Sequence, residues 1–239
     1  MVELFKSVYH YWVAIAANLW FGFPGRELTV IGVTGTDGKT TTSTILYEIL
    51  KEAKIKTSII TSVHAVIAGH SYDTGFHVTT PSSWFVQKYL RDAVRHGDTH
   101  VVLEVTSHAL GQSRVLGIPF SVGVITNVTH EHLDWHGTFE TYVKTKLSLL
   151  KRSKVVVLNR DEADLYGRAI PYIRNKRYVT YGIRRDSMVN PSTHAFKTLL
   201  PGEFNRYNAL AAIAAAQILG VRASVWKRVM ASFKGVVGR

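Results

Sequence analysis

The chain has 239 residues, 46% of them apolar, enough to bury a sizeable core as one large domain or two small ones. It has no cysteine, which excludes disulfides, zinc fingers and a thiol nucleophile and fits a cytoplasmic chain. With 29 basic against 17 acidic residues, the formal charge of +12 suits a polyanion, whether nucleotide, nucleic acid or anionic membrane face, without choosing among them.

The first apolar run, Tyr9 to Phe23, falls short of the roughly 20 residues that span a bilayer. No small-residue cleavage site follows it, so it is not read as a signal peptide. Two readings stand for residues 1–27, an apolar helix and linker. One packs the helix on the domain or on a partner; the other lays residues 4–23 on a membrane face, with Tyr, Trp and Phe at the headgroup level.

Strand and helix then alternate. "LTVIGVT" (Leu28 to Thr34) reads as a buried strand, and a helix over Lys39 to Ala53 places Ile45, Leu46, Ile49, Leu50 and Ala53 on one face. "TSIIT" is the next strand. After Pro81-Ser82, Val86, Tyr89, Leu90, Ala93 and Val94 fall at helical spacing, and "HVVLEV" (His100 to Val105) follows as a strand. The series continues with "SVGVITNV", a helix from about Thr138 to Leu150, "KVVVLN", "RYVTYG" and an Ala-rich buried helix from Asn205 to Gly220. This order predicts an α/β fold, a mostly parallel sheet flanked by helices on both faces.

"GVTGTDGKTTT", residues 32 to 42, joins the first strand to the first of these helices. Such a turn aims backbone N–H groups and the positive helix end at a phosphate, and Gly35 and Gly38 allow close approach. Lys39 would reach the outer phosphates and Thr40 would ligate Mg²⁺. Val33 stands where the full Walker pattern has its first glycine. "HEHLDWH" (His130 to His136) holds three histidines and two carboxylates, which also admits a zinc reading.

The shortened loop "GTDGKTT" resembles the ATP loop of the Mur ligase family. "VTTPSS", "LEVTSHALGQSRV", "TNVTHEHLDWHGTFETYVKTKLSLL", "VLNRDEAD", "GEFNRYNALAAIAAA" and "GVVGR" appear in that family's order. From Leu28 to Arg239 the chain is similar to the central, P-loop NTPase-like domain of the tripeptide-synthetase (MurE-like) branch. The resemblance implies an ATP-dependent amide-bond ligase of peptidoglycan precursor synthesis, working through an acyl phosphate. Its acceptor would be UDP-N-acetylmuramoyl-L-alanyl-D-glutamate, and the added residue meso-diaminopimelate or L-lysine.

The family pattern assigns the nucleotide to Gly35, Thr36, Asp37, Gly38, Lys39, Thr40, Thr41, Asn205 and Asn208. It assigns catalysis to Lys39, Glu104, His132 and Lys146. Two Mg²⁺ ions are implied, with Thr40, Glu104, His132 and Lys146 as ligands, the last as a carbamate made with CO₂. Lys144 lies beside it, and the spacing of Lys146 from Tyr142 and His136 decides for the latter. Thr79, Thr80, Thr106 and Arg114 match positions that contact the muramyl dipeptide. Glu131 and Asp37 depart mildly from the family's usual Asp and Asn.

The family's UDP-binding and amino-acid-binding domains have no counterpart in these residues. The chain is therefore expected to bind ATP while forming little product unless a further domain or a separate chain completes the site. A non-ligating ATP-binding partner or regulatory subunit is one alternative. Another amide ligase of the fold, such as a folylpolyglutamate or cyanophycin synthetase, is the other. No nucleic-acid recognition motif accompanies the charge.

Overall fold

In the computed structural model, which describes residues 2–73, 80–129, 137–184 and 186–236, the strands form one eight-stranded sheet. In chain order they are β1 (Thr29–Thr34), β2 (Thr57–Ile60), β3 (His64–Ile67), β4 (His70–Asp73), β5 (His100–Glu104), β6 (Phe120–Ile125), β7 (Ser153–Asn159) and β8 (Arg177–Tyr181). Across the sheet they run β4-β3-β2-β5-β1-β6-β7-β8. The pairings from β2 to β8 are parallel, and β3 and β4 form an antiparallel extension at one edge.

The helices are α1 (Val2–Phe21), α2 (Lys39–Glu52), α3 (Ser83–Arg95), α4 (Ser107–Gly111), α5 (Phe139–Arg152), α6 (Ala163–Ile173), α7 (Glu203–Ile218) and α8 (Ala223–Ser232). Because side chains alternate along a strand, Ile31 and Val33 of β1 face one layer while Val30 faces the other. The first layer is α2, α7 and α8: Ile45, Leu46, Ile49 and Leu50 meet the alanines of α7, which let the two helices approach closely. Each of these four α2 residues is fully buried, worth roughly 1.5–3 kcal/mol apiece. On the opposite face α3 contributes Val86, Leu90 and Ala93, and α5 with α6 covers the β6–β7 side through Val143, Leu147, Leu150 and Leu165.

Several boundaries differ from the sequence expectation for identifiable reasons. The strand expected over "SVGVITNV" stops at Ile125, because the Thr126 hydroxyl donates to Asp37 O at 2.6 Å and Asn127 turns toward the loop after β1. The last Ala-rich helix sits two residues earlier than expected, opening after Gly202 (φ 87°) and closing before Gly220 (φ 78°). The β3–β4 hairpin was not foreseen; its turn is Ala68-Gly69, both at positive φ (51° and 82°), the geometry of a type I′ connection. Helices α6 and α8 were also unforeseen, α6 carrying Gly167 and Pro171 in its interior.

The N-terminal helix is packed on the domain along one side. Ala14 and Ala17 are fully buried, and Asn18 donates to Leu116 O at 2.9 Å. Arg91 of α3 caps its end by donating to Phe21 O (2.8 Å) and Gly22 O (3.0 Å). No helix among the described residues is long and apolar enough to cross a membrane.

Candidate active site

Parallel strands deliver their carboxyl ends to one edge of the sheet, and the adjacent strands β5, β1 and β6 end there together. The loop after β1 is drawn tight by its neighbours. Thr36 N–H donates to Asn127 O and Asp37 N–H to Asn127 Oδ1, both at 2.9 Å. A side chain at Gly35 would collide with Thr126, and one at Gly38 with the Asn208 amide; Gly38 also holds φ 76° as the residue before α2. Thr36 and Asp37 spend their N–H groups on Asn127, whereas the first N–H groups of α2 lack intrahelical acceptors, an arrangement that can receive an anion.

Two lysines converge on this loop. Lys39 Nζ donates to Thr36 O at 2.6 Å, and Lys146 Nζ donates to Gly35 O at 2.6 Å. Lys146 is 2% exposed and lies 4.4 Å from the centroid of the Tyr142 ring, whose hydroxyl meets Thr36 Oγ1 at 3.1 Å. Lys144 points the other way, exposed and paired with Glu140 at 3.4 Å.

Glu104, 1% exposed, ends β5 beside the opening of α2. Its Oε2 accepts from Thr40 Oγ1 at 2.9 Å, from Ser62 N at 3.1 Å and from Ser62 Oγ at 3.3 Å. Ser62 was not singled out from the sequence. It arrives because β2 pairs with β5, so the residue two past the end of β2 meets the end of β5. A carboxylate and a hydroxyl at this distance make an all-oxygen pair of the kind a hard cation takes. Among the described residues no cluster of three His, Asp or Glu gathers for a metal.

On the other side of β5, the Thr80 hydroxyl is fully buried, donating to Glu104 O at 2.9 Å and accepting from Thr106 N at 3.1 Å. Thr106 caps α4 by accepting from Ala109 N at 3.2 Å. Half-buried Arg114 holds Thr80 O and the Gln112 side chain, and burial pushes its guanidinium below the ordinary value. Thr80 therefore braces the strand end that carries Glu104. Thr79 and the HEHLDWH segment, including His132, lie outside the described residues.

Beyond Gly38 a cavity of about 880 Å³ opens, lined by Thr41, Asn159, Glu162, Tyr181, Asn205 and Asn208 among others. The Asn208 and Asn205 amides meet at 3.4 Å, and Asn205 donates to Pro201 O at 2.7 Å. Asp161, also unremarked from sequence beyond its motif, is buried behind this cavity. Its Oδ2 accepts from Ile183 N (2.8 Å), Arg184 N (3.3 Å) and Tyr207 OH (2.9 Å).

Residues 33–216 match the family model of the Mur ligase middle domain. The chain is 39% identical over 245 residues to a UDP-N-acetylmuramyl-tripeptide synthetase of Deinococcus radiodurans, covering 95% of this chain and 50% of that one. It is 36% identical over 254 residues to a UDP-N-acetylmuramoyl-L-alanyl-D-glutamate--2,6-diaminopimelate ligase of Geobacillus kaustophilus, covering 95% and 51%. The chain thus spans about half the length of the curated relatives it matches. A solved 2,6-diaminopimelate ligase of the same description superposes with a TM-score of 0.77 at 26% identity, over 89% of this chain and 47% of that one. A pseudomurein peptide ligase of Methanothermus fervidus shares the fold at TM-score 0.67 and 23% identity, over 89% and 51%.

Proposed function

The chain belongs to the Mur ligase family as a middle domain, and from that membership we propose that it is the ATP-handling part of an amide-bond ligase of peptidoglycan precursor synthesis. A carboxylate does not condense with an amine at a useful rate. In this reading the γ-phosphoryl group of ATP moves to the terminal carboxylate of UDP-N-acetylmuramoyl-L-alanyl-D-glutamate, releasing ADP. The amine of meso-diaminopimelate or L-lysine then attacks the acyl phosphate and expels phosphate. Such phosphoryl transfer asks the protein mainly for position and charge compensation.

The observation that carries the reading is the Thr40 to Glu104 contact of 2.9 Å at the opening of α2. A buried carboxylate sharing its oxygen with a phosphate-loop hydroxyl suits a magnesium ion, which would neutralise and orient the phosphates. Lys39 would leave Thr36 O for the outer phosphates, and the Gly35–Thr41 loop would wrap them. Asn205 and Asn208 would lie at the base end of the nucleotide, in the cavity beyond Gly38. Arg114, through a planar fork suited to carboxylates, would face the acceptor with Thr106 and Thr79.

Lys146 is proposed as a carbamate ligand of a second ion, together with His132 on the family pattern. Its burial and its bond to Gly35 O support the assignment, because a carbamate N–H keeps that donor while adding a carboxylate. Lys146→Arg keeps the charge and cannot be carbamylated, so in a full-length ligase ligation should fall as far as in Lys146→Ala; normal turnover by the Arg variant rejects the carbamate.

Thermal unfolding with and without ATP·Mg²⁺ tests the nucleotide site. At a hundredfold excess over Kd the wild-type gain should be about 2.7 kcal/mol. Lys39→Ala should lose most of it, and an equal shift in both proteins removes the loop from the site. Mass spectrometry of mixtures with UDP-muramyl dipeptide, ATP and either lysine or diaminopimelate, with and without the C-terminal portion of a relative, reads the ligation itself.

A further inference from the structure

The outer side of α1 belongs neither to the core nor to the nucleotide cavity. While Ala14 and Ala17 face inward, Phe5, Tyr9, Trp12, Leu19 and Trp20 stand 71%, 66%, 62%, 65% and 75% exposed. Phe5, Tyr9, Trp12 and Leu19 follow one another at four, three and seven residues, which puts them on one stripe of the helix with Trp20 beside it. The stripe continues onto α3, where Trp84 lies 5.9 Å from Trp20 and 5.1 Å from Phe21, and Phe85 is half exposed. Arg91 clamps the end of α1 to α3, so the two helices present these rings as one fixed surface. Single exposed apolar residues are ordinary, whereas a contiguous patch across two helices marks a surface that something covers.

The chemistry of the patch selects what covers it. Tyr and Trp pair an apolar body with a polar tip, which fits the boundary between headgroups and acyl chains. Between Phe5 and Phe21 the helix carries Lys6 and no acidic residue. Exposed Arg26 lies 4.2 Å over the Phe23 ring just past the helix, and Lys88 is exposed on α3 one turn from Phe85. Of the acids nearby, Glu27 is paired with Arg91 at 2.9 Å and Asp92 is half-buried. The rim is thus basic on a chain of net charge +12. No described helix is suited to spanning, so the contact would be parallel to the surface.

We propose that the α1–α3 face docks on an anionic lipid surface, with Trp12, Trp20 and Trp84 at the headgroup boundary and Arg26 and Lys88 toward the lipid phosphates. The docking is independent of the nucleotide site and stands or falls apart from the ligase reading.

Flotation of this chain with vesicles of phosphatidylcholine alone, or mixed with phosphatidylglycerol, tests the proposal. The bound fraction should be about tenfold higher on the anionic vesicles and should fall as salt rises. Trp12→Ala combined with Trp20→Ala should abolish most of the binding without altering thermal unfolding, since both rings lie outside the core. Lys88→Glu should weaken the anionic preference with all rings in place. Absence of flotation on anionic vesicles overturns the proposal, as does flotation undiminished by the double variant. So does a concentration-dependent dimer, lost in the double variant, in a chain that ignores vesicles, for that outcome assigns the face to a second copy.

Discussion

Two buried carboxylates stand at or just past the ends of parallel strands on either side of the loop after β1, and their donors differ in proportion, two hydroxyls and one N–H against two N–H groups and one hydroxyl. Glu104, after β5, accepts from the Thr40 hydroxyl and from the Ser62 hydroxyl and N–H at Oε2. Asp161, after β7, accepts from two backbone N–H groups and the Tyr207 hydroxyl at Oδ2. A hydroxyl can rotate and offer a lone pair to a cation, while a backbone N–H can only donate. On the proposed reading, Glu104 would exchange its hydroxyl donors for an arriving ion. Asp161 instead ties the segment after β8 to α7 through Oδ2, while Arg184 Nε stands 3.9 Å from its Oδ1.

That contrast predicts opposite consequences for removing the two charges. Glu104→Gln keeps an acceptor for the same donors, so unfolding without ligand should change little. In a ligation-competent form the rate should fall by about 10²–10³-fold, the usual loss for one preorganised electrostatic group. Mg²⁺ should also cease to strengthen ATP binding, as read by calorimetric titration. Ligation at the wild-type rate would erase the distinction between the two carboxylates.

Asp161→Ala should act on stability first. Three donors lose their acceptor behind the cavity, and buried unmet donors cost about 1–3 kcal/mol each before water or relaxation recovers part. Urea unfolding should show a loss of roughly 3 kcal/mol, while Mg²⁺ should still enhance ATP binding in the molecules that remain folded. A variant that keeps its stability and loses the Mg²⁺ effect would mean that the roles are reversed.

The two corners were also unequally legible in the sequence. Strand, glycine turn, Gly38-Lys39-Thr40 and the following apolar face are contiguous, so local geometry and the helix period suffice to read them. The nearness of Thr40 to Glu104 depends on β5 lying beside β1, which the family pattern supplied and periodicity could not. Ser62 depends on β2 lying beside β5, a second long-range fact, and nothing about a lone serine after "TSIIT" announces it. Asp161 sat inside a quoted motif, yet its partners at Ile183 and Tyr207 belong to a later loop and a later helix. The β3–β4 hairpin escaped because its Ala68-Gly69 turn is a weaker signal than Asn-Gly and its strands are four residues each. The apolar run at the start was plain to see, but only the packing of Ala14 and Ala17 shows which side of it is left outside.

The smallest effect expected concerns the Tyr207 hydroxyl, which separates the lock from the ion site by pH. Burial and then the bond to Asp161 push this phenol up to about 12 from an ordinary value of 10.0. The folded chain thus holds the proton where the unfolded chain has released it. Stability from this group is complete below pH 10, declines as pH rises, and is gone above about 12. Comparing wild type with Tyr207→Phe isolates it, since other groups titrate alike in both. The wild-type advantage in urea unfolding should be constant near neutrality and shrink through the alkaline range, while Glu104→Gln should show no such difference from wild type. An advantage that stays constant across that range would mean that the hydroxyl does not donate to Asp161, and the lock would rest on the two backbone N–H groups alone.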